Sequence, residues 1–531
     1  MLRVFAIFLI VLSLSAGIGE FCGLLLPTLS WPFTAAREMS FLHASGFDEG
    51  IWTHEGRFLW FGWFCVLAGL VLGVCLLALP RARLVISPIS HRRWKRFRSI
   101  RRGYFSFLLI LLFCFLAALD QCLVGKRALF VEMNGRWYFP AFTRTVLPGS
   151  LFGLAGNAAQ AEADYRLLDR LEGEPGFPAK VIMPPVPFDP TVDAAPFPIE
   201  PLERRGGLFY RRGDTSPFNG QASRLYSEDG ADQHLRMRFR QGMPDGPALG
   251  WDRRRNEVYS ARYRQGALVS ERYTGEGTVK EFLKQSSETF HFIYYHPSPP
   301  LIGRHLLGTN SQGADIVAWL FGGLQVNLKA ALLYLPIVYG IGLTVGLSMG
   351  YFGGRFDLIV QRCIEILAQI PFLFVIMILS DLAPLQFKGL FLTAVLLSLF
   401  GWMSMSYLLR TSAMKEKTRD YVAAARVMGA STPRILFTHI LPNQLAIIVT
   451  LAPFSVSAVI LSIASLDYLG FGLPDTCASW GRLLNDGLAN LSSPWIVTSG
   501  FAALAISLLL VTFTGEAVRE AFDPKRISCY K

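Results

Sequence analysis

The chain has 531 residues, of which 52% are hydrophobic and only 17% charged, with a net charge of +12. A chain this long and this apolar is not an ordinary soluble protein. The positive charge is not a nucleic-acid footprint either, because much of it sits in short loops between apolar runs.

About twenty apolar residues cross a bilayer as a helix. Eight runs qualify, near 4–27, 58–80, 104–124, 326–350, 358–380, 388–409, 443–465 and 494–514. The predicted fold class is an all-α polytopic membrane protein of about eight transmembrane helices, with an inserted extracytoplasmic domain of mixed or β-rich character. The first run follows Arg3 and ends in small residues, so it reads either as a signal peptide or as a retained span. Its length and the lack of a clear A-x-A site point to a retained span. Residues 1–80 then hold two leading spans. The loop at 81–103 carries Arg81, Arg83, Arg92, Arg93, Lys95, Arg96, Arg98, Arg101 and Arg102 with no acidic residue, which places it in the cytoplasm. Alternation from there puts both termini inside. It also puts inside the loop bearing Arg410, Lys415, Lys417, Arg419, Arg426 and Arg434, and the tail at 515–531 bearing Arg519, Lys525 and Arg526.

After the span at 104–124, the polar segment 125–307 falls outside and is long enough to fold alone. Roughly 173–201 is proline-rich and reads as an extended strap. Near 200–285, Arg238-Phe-Arg-Gln-Gly242 recurs as Arg262-Tyr-Arg-Gln-Gly266, a period of 24. Aromatic residues followed by glycine turns predict β-hairpins stacked in register, similar to a MORN-type repeat. The eight cysteines show no C-x-x-C or His/Cys spacing, so they predict neither a metal site nor a disulfide framework.

Residues 308–514 form a five-helix core. Gly308–Asp315 opens it as a turn before an interfacial helix. Tyr351-Phe-Gly-Gly-Arg-Phe-Asp357 makes a tight inside turn. Glu365, Gln369 and Pro371 follow within the next span, where a carboxylate is expensive and a proline kinks the helix. Two readings stand for Glu365: a residue lining a translocation path with Gln369, or a structural partner of Arg362 one turn away. Between two later spans lies a polar segment within 411–442. Asp420 begins a small-residue helix through Ala423, Ala424 and Ala425, and Gly429 ends it. Thr432 and Pro433 suit the cap and first turn of a second helix leading to Leu441 and Pro442. Such a bulge suits a groove on a soluble partner. Outside, Gly470, Gly472, Pro474, Trp480 and Gly481 predict a sharply turned loop with aromatics anchored at the interface, which on its own reads as a re-entrant structural plug.

The segment at 420–442 resembles the cytoplasmic EAA loop of ABC importer permeases, whose coupling helix sits on the ATPase. Ala424, Ala425, Gly429, Leu441 and Pro442 fall on its marked positions, and Ala423 replaces its initial glutamate. Gly308–Asp315, 351–357, 465–481 and Gly515–Pro524 resemble the dipeptide/oligopeptide/nickel permease family, with Asn310 and Ala314 departing from its pattern; the resemblance implies that 465–481, with Gly470, Gly472, Pro474, Trp480 and Gly481, is an outer-mouth scoop receiving substrate from a binding protein. Ser87–Arg98, Arg101–Tyr104 and Asn134–Pro140 resemble the Yej-type oligopeptide permeases. The two leading spans and the stretch near 200–285 are additions to that pattern.

The resemblance implies a type I ABC importer permease core in the bacterial inner membrane, importing oligopeptides. It implies four kinds of partner: a companion permease, ABC ATPase subunits, an extracytoplasmic solute-binding protein and membrane lipid. No nucleic acid is expected. No catalytic residue, metal or cofactor is expected in this chain. It has no G-x-x-x-x-G-K-[ST] loop, so ATP belongs to a partner subunit. Importers of another small solute (nickel, an opine) and a non-ABC transporter or sensor with an outer ligand domain remain as alternatives.

Overall fold

The computed structural model describes residues 2–22, 24, 33, 56–78, 88–143, 146–154, 160–172, 179–190, 197–226, 233–252, 256–275, 277–286, 288–383, 389–474 and 477–522. Arg81, Arg83, part of the proline-rich strap, Lys525 and Arg526 lie outside the described residues. The chain divides into two compact units, one of Met1–Val192, Ala318–Ala489 and Val497–Lys531, the other of Asp193–Val317 and Asn490–Ile496.

The first unit is mainly helical. In chain order it holds α1 (Leu2–Phe21), α2 (Gly56–Ala78), α3 (Pro88–Ser99), α4 (Arg101–Leu119) and the short α5 (Tyr165–Leu171). In the second unit α6 (Val279–Leu283) is a short helix. The core continues with α7 (Ile316–Phe352), α8 (Gly354–Gln369), α9 (Phe372–Leu382), α10 (Leu390–Glu416), α11 (Asp420–Val427), α12 (Thr432–Tyr468), α13 (Trp480–Ala489) and α14 (Pro494–Phe522).

Among the described residues, five helices are long and apolar enough to cross a membrane: Arg101–Cys122, α7, α10, α12 and α14. The α8–α9 pair adds a sixth if it counts as one span. The expected count of eight is therefore not established. The N-terminal helices contribute only the shorter apolar stretches Leu9–Phe21 and Gly62–Cys75. They do pack on each other through small residues, with Gly69 against Ser13 and Gly73 against Ala6 and Ile10.

The run expected as one span at 358–380 is bent by 77° between α8 and α9. Pro371 explains the break. It lacks an N–H, and it drives Ile370 to an extended backbone with ψ 126°. Elsewhere in the core Gly342, Gly346 and Gly350 line the face of α7 that meets α10. A Cβ on Gly346 would stand 2.6 Å from the Ser406 carbonyl oxygen, so only glycine permits this approach.

The polar segment expected as one domain at 125–307 is divided by its packing. Residues 125–192 belong to the first unit. There β1 (Phe130–Met133) pairs with β2 (Arg136–Tyr138) and β3 (Ala179–Ile182), around a core of Val131, Phe152, Tyr165 and Leu168. The middle of the strap returns to the end of the span Arg101–Cys122. The Gly125 N–H donates to the Val186 carbonyl at 3.0 Å, and Val186 N–H to the Leu123 carbonyl at 3.0 Å. That contact joins residues some sixty apart, so local composition does not reveal it.

The second unit is built on a seven-stranded sheet in the order β11-β10-β9-β8-β7-β12-β4. The strands are β4 (Ile199–Pro201), β7 (Gly220–Leu225), β8 (Gln233–Arg240), β9 (Met243–Trp251), β10 (Glu257–Arg264), β11 (Ala267–Tyr273) and β12 (His291–Ile293). A separate ribbon pairs β5 (Glu203–Arg205) with β6 (Leu208–Tyr210). The period of 24 is explained by two hairpin turns. Gln241 and Gly242 have φ 49° and 73°, and Gln265 and Gly266 have φ 49° and 82°. Two successive positive φ values match the twist of antiparallel strands. One face packs on Phe282, with Leu235, Met237, Ala248, Tyr259 and Ala261 in the core.

Candidate coupling loop and outer loop

The polar segment between α10 and α12 folds as a short helix, a glycine turn and a second helix. The second helix is continuous with the span that follows, since α12 runs unbroken from Thr432. Its N-cap is Ser431 rather than Thr432, which moves Pro433 to the second helical position. Ile435–Ile440 is wound as a π-helix just before Leu441 and Pro442. The proline ring would clash with the carbonyl four residues back, and a widened turn relieves that conflict.

Helix α11 ends in a Schellman motif. Ala430 N–H donates to the Ala425 carbonyl and Gly429 N–H to the Arg426 carbonyl, both at 3.0 Å. Gly429 has φ 78°, with nothing within 4 Å of where its Cβ would be. Glycine is needed there for backbone conformation and not for room.

The two faces of α11 differ. Val422 and Ala425 are buried against Leu347 of α7, Ala413 of α10, and Ile435, Leu436 and Ile440 of α12. Ala423, Ala424 and Arg426 are exposed, and Val427 and Met428 are 88% and 78% exposed. Of the two alanines singled out from sequence, Ala425 thus holds the helix in place and Ala424 faces outward. Val427 and Met428 were not singled out, because an apolar pair at a helix end reads equally well as core.

Side chains brace this arrangement. The Tyr421 hydroxyl donates to Glu416, and Asn443 Nδ2 donates to the Tyr421 oxygen at 2.8 Å, joining the end of α10 and the start of α11 to α12 just past Pro442. Burial, then the hydrogen bond to the Glu416 carboxylate, pushes the Tyr421 phenol up. Asp420 lies exposed in the first turn, where a carboxylate suits the helix dipole. Asp357, after the Gly353-Gly354 turn, receives two hydrogen bonds from Arg410 of α10, one of them from Nη2 at 2.6 Å. Lys417 Nζ reaches the Tyr351 carbonyl at 3.2 Å, and the Arg426 guanidinium lies 5.5 Å from the Tyr351 ring centre.

Glu365 accepts from Arg362 Nη1 at 2.5 Å and from Gln361 Nε2 at 3.0 Å. Within this chain it is the partner of Arg362, as one sequence reading held. Gln369 and Pro371 lie exposed at the bend.

The outer loop is organised by Asp467, which the sequence reading did not single out. Its buried carboxylate accepts from Leu473 N–H at 2.7 Å and from the Ser479 hydroxyl. Gly470 turns the chain with φ 83°. Gly472 packs against the Asp467 carboxylate and Gly481 against the Ala464 backbone, leaving no space for a methyl at either. Arg482 donates to the carbonyls of Leu473 and Pro474, both at 2.8 Å. The buried Trp480 donates to the Leu320 carbonyl at 2.9 Å, and Trp319 to the Ser479 carbonyl at 2.8 Å.

In the second unit Asn310 Oδ1 accepts from Gln312 and Ala314 N–H at 3.0 and 2.8 Å, closing the turn at 308–315. Asp315 pairs with His305 at 2.8 Å, both buried.

Residues 342–528 match the model of the binding-protein-dependent transport system inner membrane component. The chain is 30% identical over 441 residues to the inner membrane ABC transporter permease protein YejE of Escherichia coli K12, covering 83% of this chain and 98% of that protein. It belongs to this family of ABC importer permeases. It is also 27% identical to the peptidoglycan transport system permease protein YejE of Agrobacterium fabrum, over 83% of this chain and 94% of that one. The oligopeptide transport system permease protein OppC of Haemophilus influenzae is 31% identical over 43% of this chain and 73% of its own length. The chain is thus an integral inner-membrane permease subunit, of a kind that carries no ATPase site of its own.

Proposed function

We propose that this chain is the translocating subunit of an ATP-driven importer of oligopeptides, and that α11 is the element through which a separate ATPase moves it. The observation that carries this reading is the two-faced helix. Its inner face, Val422 and Ala425, is locked to α7, α10 and α12, while Val427 and Met428 stand bare at its tip. A force applied to that tip passes to three core helices at once. ATP-driven closure of the partner's nucleotide-binding domains favours one access state over the other, as any such shift requires. A companion permease covers the bent α8–α9 pair, with Glu365, Gln369 and Pro371 on the translocation path between the two. A solute-binding protein delivers substrate near the 465–481 loop. The α11 side and both termini face the cytoplasm, in keeping with the basic residues around α11.

The peptide substrate rests on the relatives named for oligopeptide and dipeptide transport. The Agrobacterium relative's name narrows a second reading to peptides released from peptidoglycan. Competition of uptake by muropeptides against ordinary oligopeptides separates the two.

The test is a cysteine at position 427 in cells holding the whole transporter. Cross-linking to a nucleotide-binding subunit is expected. Modification of a cysteine at position 426 by an impermeant reagent added outside the cell would put the helix on the wrong side and end the proposal.

A further inference from the structure

We propose that α3 and the first turn of α4 form a docking site for the headgroups of anionic phospholipids. Seven cations, Arg92, Arg93, Lys95, Arg96, Arg98, Arg101 and Arg102, occur within eleven residues with no carboxylate among them. Arg92, Lys95, Arg98, Arg101 and Arg102 are exposed, and none of the five makes an ion pair among the described residues.

The position of this cluster selects its occupant. The membrane span Arg101–Cys122 begins at the end of α3, so the cations stand where a crossing helix leaves the hydrocarbon. Trp94, 39% exposed, lies among them, and tryptophan favours the headgroup level. Lipid phosphates are the anions present at that depth at high density, and basic clusters beside a span attract them.

The cluster is also fixed in place. Phe97 is buried against Ala517, Ala521 and Phe522 of α14, and packs edge-on to Phe107 at 5.6 Å. Arg93 lies over the Phe522 ring at 4.8 Å. At Gly103 the α4 backbone meets Ala517 so closely that a side chain there would collide with it. The cations are therefore presented by a helix clamped to α4 and α14, and lipid bound there steadies the end of α14. The chemistry is the same in either leaflet and does not depend on what the permease transports.

The test uses the full-length chain, extracted with its native lipids, and the variant R92Q/K95Q/R101Q/R102Q. These substitutions leave Phe97, Arg93 and Gly103 in place. Mass spectrometry of retained lipid is expected to show phosphatidylglycerol or cardiolipin enriched over the bulk membrane for the unaltered chain. The variant should lose at least about tenfold of that enrichment, since each cation near an anionic surface contributes about 1 kcal/mol and 1.4 kcal/mol is tenfold. Removing equal charge elsewhere, in R236Q/R238Q/R262Q/R272Q on the second unit, should leave it unchanged. Enrichment that survives in the α3 variant, or falls equally in the control, overturns the proposal. So does displacement of the lipid by excess inorganic phosphate, which would mean a free-anion site. A variant that fails to fold is recognised by its elution on size exclusion. Single substitutions then replace it, each expected to cost about fivefold.

Discussion

The loop at 420–429 and the loop at 465–481 are both short, glycine-marked and placed at the end of α12 or beside it, yet their glycines do opposite work. Gly429 stands in open space and serves a positive φ, next to two bare apolar side chains. Gly472 and Gly481 are wedged against Asp467 and the Ala464 backbone, and the side chains near them are spent on internal hydrogen bonds. One segment keeps its outer face for another molecule. The other is closed on itself. A glycine pattern alone does not separate a docking surface from a structural lock; the space around the missing Cβ does.

The sharpest way to break that contrast is to add one methyl group. Gly481→Ala should destabilise the chain by about 1–3 kcal/mol, because the Ala464 backbone cannot yield without shifting α12. A fall in thermal stability in detergent, with less folded protein in the membrane, is the expected readout. An unchanged melting temperature would show that the outer loop is not locked.

Val427→Asp with Met428→Asp should leave stability alone, since both side chains are mostly exposed. Uptake should fall by more than about tenfold, the loss of one interface hot spot of about 2 kcal/mol or more. Ala425→Arg is the complement. It should lose uptake and stability together, because Ala425 is 1% exposed in the cluster under α11. If the double aspartate variant transports normally, the exposed tip is not where force enters.

The second unit supplies a control that touches neither loop. His234 is fully buried beside Phe282, with Nδ1 2.6 Å from the Ser286 hydroxyl. Burial, then the nearby Arg224 charge, pushes its pKa down to about 4. The unfolded state binds the proton more readily, so the contribution is whole above the unfolded pKa of about 6.5 and is lost as pH falls towards 4. About 3 kcal/mol of this unit's stability should disappear across that window. His234→Gln should flatten the pH dependence seen by hydrogen exchange in β7 and β8, leaving α11 protection unmoved.

Much of this molecule could be read from residue order because the relevant forces are local. Hydrocarbon length marks α7, α10 and α14. The Gln-Gly pairs at 241–242 and 265–266 mark hairpins, because positive φ is a property of the turn itself. Gly429 ends α11 for the same reason. What escaped reading depends on distant partners. Asp467 becomes a hub only when Ser479 folds back to it. Residues 125–192 go with the first unit, where Val186 returns to Leu123.

The smallest expected effect is the most discriminating. Gly429→Ala adds a methyl where nothing lies within 4 Å, so any cost comes from the backbone alone. Holding a side-chain-bearing residue at φ 78° costs about 1–2 kcal/mol, and the Schellman hydrogen bonds fix that geometry. Fraying of the last turn of α11 should follow, visible as faster amide exchange at Gly429 and Ala430 positions, with a modest fall in uptake. Gly429→Asn should recover part of both, because asparagine tolerates the left-handed region better than alanine. Equal behaviour of the alanine and asparagine variants would mean that the turn's handedness is immaterial. The tip would then be positioned by the Val422 and Ala425 packing alone.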